Sequence, residues 1–281
     1  MEENEDKKLA ALKLRMDGMT NEGAAKALGV SERTIRRWLN NKQKSHFDPK
    51  DNPWKLTGDF VICGDIHIDT VSWPMVEKML AWAKKFEVKK LIIAGDLFSF
   101  SGLQNKYPKV YTTASVPDEI AMAEKVFEYL FQWFEEIYWF IGNHDERFIS
   151  WFGAGINMQN LASMFCPDGK RAKLFTNDCN FAWVRNGPKK KRWLVMHAYE
   201  YGKPLTVSAR FSARFDCSVI QHHQHLAAEG LSENGKHTII DNGCMCEQRL
   251  TKYATKRISS LPSFQKGFVV LTGGQHVRYS E

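Results

Sequence analysis

The chain has 281 residues, 43% hydrophobic and 25% charged, so it can bury a substantial core and hold one large domain beside a small one. Lysine and arginine outnumber aspartate and glutamate by 39 to 32, and this net charge of +7 favours an anionic partner, with nucleic acid as the leading candidate. The acidic start Met-Glu-Glu-Asn-Glu-Asp lacks the features of a signal peptide, and no apolar run reaches membrane-spanning length. We therefore expect a cytoplasmic protein without a membrane partner.

The six cysteines are scattered and lie mostly in apolar surroundings, which predicts reduced, buried thiols and no disulfide framework. Cys244 and Cys246 form the only close pair in the sequence. A structural zinc site needs a second pair of ligands, which this spacing lacks. We therefore interpret both residues as buried thiols.

Residues 1–46 are predicted to form a small all-α domain. A first helix would bury Leu9, Leu12 and Met16 on one face, and a second would follow Thr20 and end at Leu28.

The third helix of this domain, residues 32–39, is basic on its outer face. Gly29 makes the preceding turn, Ser31 is placed to cap the helix, and Val30, Ile35 and Trp38 face inward. The outward residues, which we assign to DNA binding, are Arg33, Thr34, Arg36 and Arg37. This unit resembles the helix-turn-helix of resolvases and transposases, whose recognition helix enters the major groove. The resemblance implies double-stranded DNA as the partner, while a three-helix bundle that contacts protein is the alternative.

A polar stretch with Pro49 and Pro53 is predicted to be a linker over residues 47–58, and residues 59–281 are predicted to form the second domain. Strands and helices alternate there, which is typical of an α/β fold. The strands predicted from apolar runs end near Cys63, Ala94, Ile141, Gln221, Asp241 and Leu271, besides a hairpin around Asn186-Gly187 that includes Trp193–Met196. Helices are predicted over residues 76–86, 120–134 and 205–215.

Two further segments remain open to interpretation. Residues 99–118 lack periodicity and carry Tyr107 and Tyr111, which fits either a functional loop beside a cleft or a surface excursion. The basic hairpin tip, residues 189–192, is predicted to be solvated, with contact to phosphate as the alternative.

Polar residues that can bind metal follow the ends of the apolar strands. Asp65, Asp96 and Asn143 each come directly after a glycine, and glycine lets the backbone turn sharply where a strand leaves the sheet. The imidazoles that follow strand ends belong to His67, His144, His197, His223 and His225. Residues two apart in an extended chain point to the same side, so the Asp65/His67 and His223/His225 pairs are each suited to hold one ion. Carboxylate, amide and imidazole donors together predict two borderline divalent cations that share a carboxylate.

These motifs, in this order, resemble the calcineurin-like metallophosphoesterases. The matching motifs are Asp65-x-His67, Gly95-Asp96, Gly142-Asn-His-Asp145, His197 and His223-x-His225. The resemblance implies a four-layer fold, with a two-sheet β-sandwich flanked by helices, preceded here by the helix-turn-helix domain. It also implies two divalent ions, for which we expect Mn²⁺, with Fe, Zn, Ni and Mg as alternatives.

The family pattern also implies a role for each residue. Asp65, His67 and His225 would hold the first ion, Asn143, His197 and His223 the second, and Asp96 would bridge them. His144 would face the phosphate and the leaving oxygen, with Asp145 as its orienting neighbour. The two metal ions would activate a water molecule for in-line attack on the phosphate. His144 would protonate the leaving alkoxide.

The chain departs from the family pattern at two positions. Ser99 occupies the place of an acidic residue three positions after the bridging aspartate, and His222 occupies the place of a glycine before the final His-x-His. We expect His222 to point away from the site as an ordinary surface histidine.

The sequence thus predicts a metal-dependent phosphoesterase that is directed to DNA by its helix-turn-helix, and we expect a nuclease. The strings Gly95-Asp-Leu-Phe98 and Gly142-Asn-His-Asp145 look similar to nucleases of double-strand-break repair. One alternative is a phosphomonoesterase or protein phosphatase with a localising helical domain. Another is a DNA-binding regulator whose phosphoesterase domain is not catalytic. Sequence leaves the oligomeric state open.

Overall fold

The computed structural model of the chain describes residues 7, 10–11, 13–15, 19–40, 53–103, 114–153, 155–167, 169–250 and 264–281, with only the backbone described at positions 37, 39, 40 and 248.

The N-terminal unit contains helix α1 (Asn21–Leu28) and helix α2 (Glu32–Asn40). Thr20 caps α1 by accepting the Gly23 N–H at 3.1 Å, and Ser31 caps α2 by accepting the Thr34 N–H at 3.0 Å. Gly29 turns the chain between them with φ of 64°, a left-handed conformation that glycine adopts without strain. The Ser31 cap and the Gly29 turn confirm the prediction from sequence, and α1 begins after Thr20 as predicted.

A small core holds this unit together. It is formed by Ala11, Ala24, Ala25, Ile35 and Trp38, all of them buried. The predicted inward positions of Ile35 and Trp38 are therefore confirmed, whereas Leu9, Leu12 and Met16 lie outside the described residues.

Among the described residues of the larger unit, twelve strands form two six-stranded sheets. The strands are β1 (Trp54–Thr57), β2 (Phe60–Cys63), β3 (Lys90–Ala94), β4 (Glu136–Phe140), β5 (Leu174–Asn177), β6 (Phe181–Asn186), β7 (Lys191–His197), β8 (Ser218–His222), β9 (Ala227–Leu231), β10 (Thr238–Asn242), β11 (Gly267–Thr272) and β12 (Gln275–Ser280). Sheet A has the order β1-β6-β7-β8-β10-β9, and sheet B has the order β12-β11-β2-β3-β4-β5. The helices are α3 (Trp73–Lys85), α4 (Val116–Leu130), α5 (Asp145–Phe152), α6 (Met158–Ala162) and α7 (Thr206–Phe215).

Successive side chains along a strand point to opposite faces of the sheet, so they pack into two different apolar layers. In β2, Val61 and Cys63 pack into the core that includes α3 and α4, while Phe60 and Ile62 pack between the two sheets. On the far side of sheet A, Leu194 of β7 joins a third core with residues of α7. The resulting order of helices, sheet B, sheet A and helix confirms the predicted four-layer fold.

The four strands that the sequence did not predict, β1, β5, β9 and β12, are the four edge strands of the two sheets. Edge strands are half-exposed and carry polar residues, so their apolar pattern is weak. The predicted linker is therefore wrong over residues 54–57, because Trp54–Thr57 pairs in parallel with β6. Residues 104–113, with Tyr107 and Tyr111, lie outside the described residues, so neither interpretation of that segment is tested.

The order of the strands brings the motif residues to one edge. The strands β2, β3 and β4 run parallel in sheet B, as do β7 and β8 in sheet A, so their carboxyl ends open onto a common cleft. None of the helices in the described part of the chain is long and apolar enough to cross a membrane.

Candidate metal centre

The backbone at five motif residues adopts the left-handed region. The φ angles are 49° at Asp65, 44° at His67, 49° at Asp96, 101° at His223 and 56° at His225. The sequence expectation of extended pairs is thus wrong, because these residues lie in tight turns after their strands. Non-glycine residues rarely adopt positive φ, and such outliers cluster at functional sites.

Glycines before the motif residues allow close approach. A Cβ on Gly142 would lie 2.2 Å from Asp96 Oδ1, and a Cβ on Gly95 would lie 2.6 Å from His197 Nδ1. Any side chain at these two positions would displace Asp96 or His197.

A first cluster combines Asp65, His67 and His225, whose potential ligand atoms all lie within 4.8 Å of one another. His225 Nε2 is 3.2 Å from Asp65 Oδ1 and 3.2 Å from His67 Nε2. Asp65 Oδ2 accepts the His223 N–H at 2.9 Å, which leaves Oδ1 directed into the cluster.

A second cluster combines Asp96, His197 and His223 within the same 4.8 Å limit. His197 Nδ1–H donates to the Ala94 carbonyl at 3.0 Å, which leaves Nε2 to face the cluster. That Nε2 lies 3.1 Å from Asn143 Oδ1, so the amide oxygen joins the same group.

Asp96 lies between the two clusters. Its Oδ1 accepts the His144 N–H at 2.8 Å. Its Oδ2 is 3.3 Å from His197 Nε2 and 3.9 Å from His67 Nε2, one imidazole from each cluster. The structure therefore brings all seven predicted ligands together.

Electrostatics keep the two carboxylates ionised. Burial opposes ionisation of Asp65 and Asp96, but His225 and His197 respectively hold the pKa of each carboxyl well below its usual range. Burial also opposes protonation of these two histidines, yet Asp96 raises the pKa of His197 to about 9 and Asp65 raises that of His225 to about 9. Protonated His225 and His197 therefore balance the buried negative charge, and a metal ion bound in either cluster would replace that proton.

The imidazoles of His67, His144 and His223 are neutral at physiological pH. Burial lowers the pKa values of His67 and His223 to about 4, and it lowers the pKa of His144 well below its usual range. Neutral imidazole is the form that binds metal.

Ser99 connects several groups around the clusters. Its hydroxyl donates to Asp69 Oδ1 and lies 3.3 Å from His67 Nδ1, so it accepts the Nδ1–H and leaves His67 Nε2 for the cluster. Its carbonyl lies 3.0 Å from His144 Nδ1 and accepts from Arg147 Nη1 at 2.6 Å. A serine in place of the family's acidic residue therefore still links a carboxylate, Asp69, to the site.

The orienting role expected of Asp145 is wrong. Its two carboxylate oxygens accept the backbone N–H groups of Gly142 at 2.9 Å and Phe98 at 3.2 Å, whereas the Ser99 carbonyl holds the His144 ring. Because Asp145 is the first residue of α5, its side chain reaches back to the loops that precede the helix. Asp145 thus fixes the two loops that carry Asp96 and His144.

His222 does not point away as a surface histidine, so that expectation is also wrong. The residue is 1% exposed. Its Nε2 lies 3.2 Å from Asn242 Nδ2, which donates to it, and the proton is therefore on Nδ1, 3.5 Å from Asp65 Oδ2. The β8 register turns this side chain toward the space between the sheets, where Ile220 of the same face also packs.

The predicted buried thiols are confirmed, since Cys244 and Cys246 are free and almost fully buried. The structure adds a neighbour that sequence could not show, because potential ligand atoms of His225, Cys244 and Cys246 lie within 4.8 Å of one another. Two soft sulfur atoms therefore border the first cluster.

The predicted DNA-binding residues lie on α2. Arg33 and Arg36 are exposed, and Arg36 forms an ion pair with Glu32 at 2.6 Å. Thr34 is half-buried, and its hydroxyl lies 2.8 Å from that of Ser31. The side chain of Arg37 lies outside the described part of the chain.

At the hairpin tip, the expectation of simple solvation holds only in part. Arg192 donates to the Phe215 carbonyl at 2.7 Å, and its guanidinium lies 4.5 Å from the Trp183 ring centroid.

Comparison with known families agrees with this geometry. Residues 58–241 match the model of the calcineurin-like phosphoesterases. The chain belongs to that family. Residues 2–45 match the model of the homeodomain-like domain, which makes the N-terminal unit a helix-turn-helix of that type. The family acts on phosphoester bonds as a hydrolase and uses divalent metal ions.

Individual relatives are distant. No curated protein matches the chain. Among solved structures, the Escherichia coli phosphoesterase YfcE is 15% identical over 79% of this chain and 98% of its own, with a TM-score of 0.37. A predicted phosphoesterase from Streptococcus pneumoniae TIGR4 is 12% identical over 79% of this chain and 97% of its own, with a TM-score of 0.33. The Pseudomonas putida nuclease MPE is 12% identical over 78% of this chain and 87% of its own, with a TM-score of 0.34.

The residues present fit the family's divalent ions. Asp65 Oδ1 and His223 Nε2 are buried and make no hydrogen bond within the described chain, although buried polar atoms normally have partners. The mixed oxygen and nitrogen donors are those of borderline divalent cations. Hydrogen bonds on the far side of His67 and His197 fix the free nitrogen toward the clusters, as is usual for metal-binding histidines.

Proposed function

We propose that the protein is a dinuclear metal-dependent phosphodiesterase that cleaves DNA. Asp65, His67 and His225 would hold one ion, Asn143, His197 and His223 the other, and Asp96 would bridge them. The observation that carries this proposal is the position of Asp96 Oδ2, 3.3 Å and 3.9 Å from imidazole nitrogens of the two clusters.

Two bound ions, for which Mn²⁺ fits the mixed donor set, would supply Lewis-acid stabilisation of the phosphate and activation of the attacking water. The chain itself contributes the orientation of the donors. The Ala94 carbonyl and the Ser99 hydroxyl fix the tautomers of His197 and His67, and the His223 N–H fixes one oxygen of Asp65.

His144 is proposed to protonate the leaving oxygen. Its Nδ1 is bound to the Ser99 carbonyl, so only Nε2 faces the cleft, 3.8 Å from Asp96 Oδ2. A proton that reaches the leaving group must therefore come from Nε2 of the imidazolium form. An anionic phosphate close to the ring favours that form.

The proposal that DNA is the substrate rests on the helix-turn-helix. Arg33 and Arg36 are exposed on α2, the helix that corresponds to the recognition helix. The Glu32–Arg36 pair is solvent-exposed and therefore weak, so a DNA phosphate can replace Glu32 as the partner of Arg36. Arg37 and Thr34 complete the proposed DNA-binding residues, and the first domain is proposed to span residues 1–46.

Purified full-length chain with Mn²⁺ should be assayed on supercoiled circular DNA, linear duplex DNA, the diester methyl p-nitrophenyl phosphate and the monoester p-nitrophenyl phosphate. We expect metal-dependent cleavage of DNA and of the diester, both abolished by a chelator. Asp96→Asn serves as the inactive control, because it removes the shared ligand charge with little change in volume. Hydrolysis of phosphomonoesters only, with DNA left intact, would refute the proposal in favour of a phosphatase.

A further inference from the structure

The loop between β7 and α7 places two tyrosines at the rim of the second cluster. The Tyr201 ring centroid lies 4.4 Å from that of His223, yet Tyr201 is 79% exposed. The Tyr199 ring lies 5.8 Å from His197 and 6.3 Å from His223. Both aromatic rings therefore border the imidazoles that we propose to hold the second ion.

Several contacts anchor this loop. The Tyr199 hydroxyl donates to Glu146 Oε1 at 2.8 Å, which ties the loop to α5. Gln224 Nε2 donates to the Glu200 carbonyl at 3.1 Å, and the Glu200 carboxylate pairs with Arg210. Tyr201 thus follows two residues, Tyr199 and Glu200, that are held by contacts to α5, Gln224 and Arg210.

A single exposed aromatic side chain needs no functional explanation. Tyr201 differs because it is anchored beside the centre to which a phosphate would bind. Its flat, exposed face can stack on a planar group, and nucleobases stack on aromatic side chains regardless of their sequence.

We propose that Tyr201 stacks on the nucleobase of the nucleotide whose phosphate enters the metal centre. This assignment rests on the proposed function, since it requires a phosphate at the two clusters. A base inside a stacked duplex presents no free face, so the subsite would select an unpaired nucleotide, at a single strand, a frayed end or a flipped base.

The test compares binding of three small phosphates to the full-length, Mn²⁺-loaded protein by isothermal titration. Thymidine 5′-monophosphate carries a base, phenyl phosphate carries a simple aryl group, and methyl phosphate carries neither. We expect thymidine monophosphate to bind about 5- to 150-fold more tightly than methyl phosphate, the range for stacking of one base. Tyr201→Ala should bring this ratio close to one, whereas Tyr201→Phe should keep it.

Phe175 offers a matched control. It is 38% exposed on β5 and stacks on Tyr138 at the edge of sheet B, so Phe175→Ala should leave the ratio unchanged.

An unchanged ratio in Tyr201→Ala, or no binding of thymidine monophosphate at all, would overturn the assignment. Equal binding of phenyl phosphate and thymidine monophosphate would also overturn it, in favour of a general aryl subsite. Hydrolysis of methyl p-nitrophenyl phosphate by the same samples tests the proposed function separately. If the diester is not hydrolysed but the binding ratio still depends on Tyr201, the proposed hydrolase activity is refuted and the proposed nucleobase subsite is retained.

Discussion

His222 offers a sharp test of how the first cluster is held. Its Nδ1–H faces Asp65 Oδ2 at 3.5 Å, and both side chains are completely buried. Replacement by phenylalanine keeps a ring between the sheets while it removes the N–H. We expect His222→Phe to weaken ion binding at the cluster of Asp65, because the carboxylate loses a group that fixes its orientation.

The size of the expected loss in ion affinity follows from the distance between His222 Nδ1 and Asp65 Oδ2. A full unit charge at this separation would interact by about 4.7 kcal/mol at an effective dielectric constant of about 20. A neutral N–H carries roughly a third of a charge, which gives about 1.6 kcal/mol and sets an upper limit of about 15-fold on the change in affinity, because the contact also exists before the ion binds. This lies within the ~10- to 100-fold loss typical of mutations in groups that orient metal ligands.

The assay is calorimetric titration of metal-free protein with Mn²⁺, with thermal unfolding in chelator to measure the stability of the fold separately. His222→Asn should retain most of the affinity, since its amide N–H lies near the position of Nδ1. Gln221, the preceding buried residue of β8, points to the opposite face of the sheet, so Gln221→Leu is the matched control. If His222→Phe binds both ions as tightly as the wild type, or if the control loses as much, the orienting role is refuted.

Four other predictions concern the centre and the DNA-binding helix. Asp96→Asn should lose bound metal and activity together, as measured by metal analysis and diester hydrolysis, and full activity without metal would contradict the two-ion proposal. His144→Ala should keep its metal but lose about 10²- to 10⁴-fold in rate on alkyl diesters and less on aryl diesters, so an equal loss on both would point to phosphate positioning instead. Ser99→Ala should weaken Mn²⁺ binding about 10-fold, since His67 loses its hydrogen-bond acceptor, while Ser99→Thr should not weaken it. Identical Mn²⁺ titrations of Ser99→Ala and the wild type would exclude a role of the Ser99 hydroxyl in orienting His67. The double variant Arg33→Ala with Arg36→Ala should weaken DNA binding. It should also reduce the slope of log binding constant against log salt concentration by up to about 0.9 per lost phosphate contact, while hydrolysis of the small diester stays unchanged. Unaltered DNA binding at every salt concentration would favour a protein-contact role for this helix.

Local sequence determined the parts of this protein that depend on neighbouring residues. The caps at Thr20 and Ser31 and the turn at Gly29 involve contacts within three or four residues, so their sequence signals are sufficient. The central strands β2, β3 and β11 of sheet B are apolar runs, because both of their faces are buried, and apolar runs of this kind predict strands from sequence.

Only the tertiary structure decided the features that depend on distant residues. The four edge strands pair through backbone groups and need little apolar pattern, so the sequence of β1 predicts a linker although the segment forms a strand. Ser99 became a connection between Asp69, His67 and His144 because three separate loops meet there. Side-chain direction also depends on register: one step along β8 separates His222, which faces Asp65, from Gln221 on the other face. Motif order therefore located the centre, whereas the packing of the two sheets decided which groups orient its ligands and which rings line its rim.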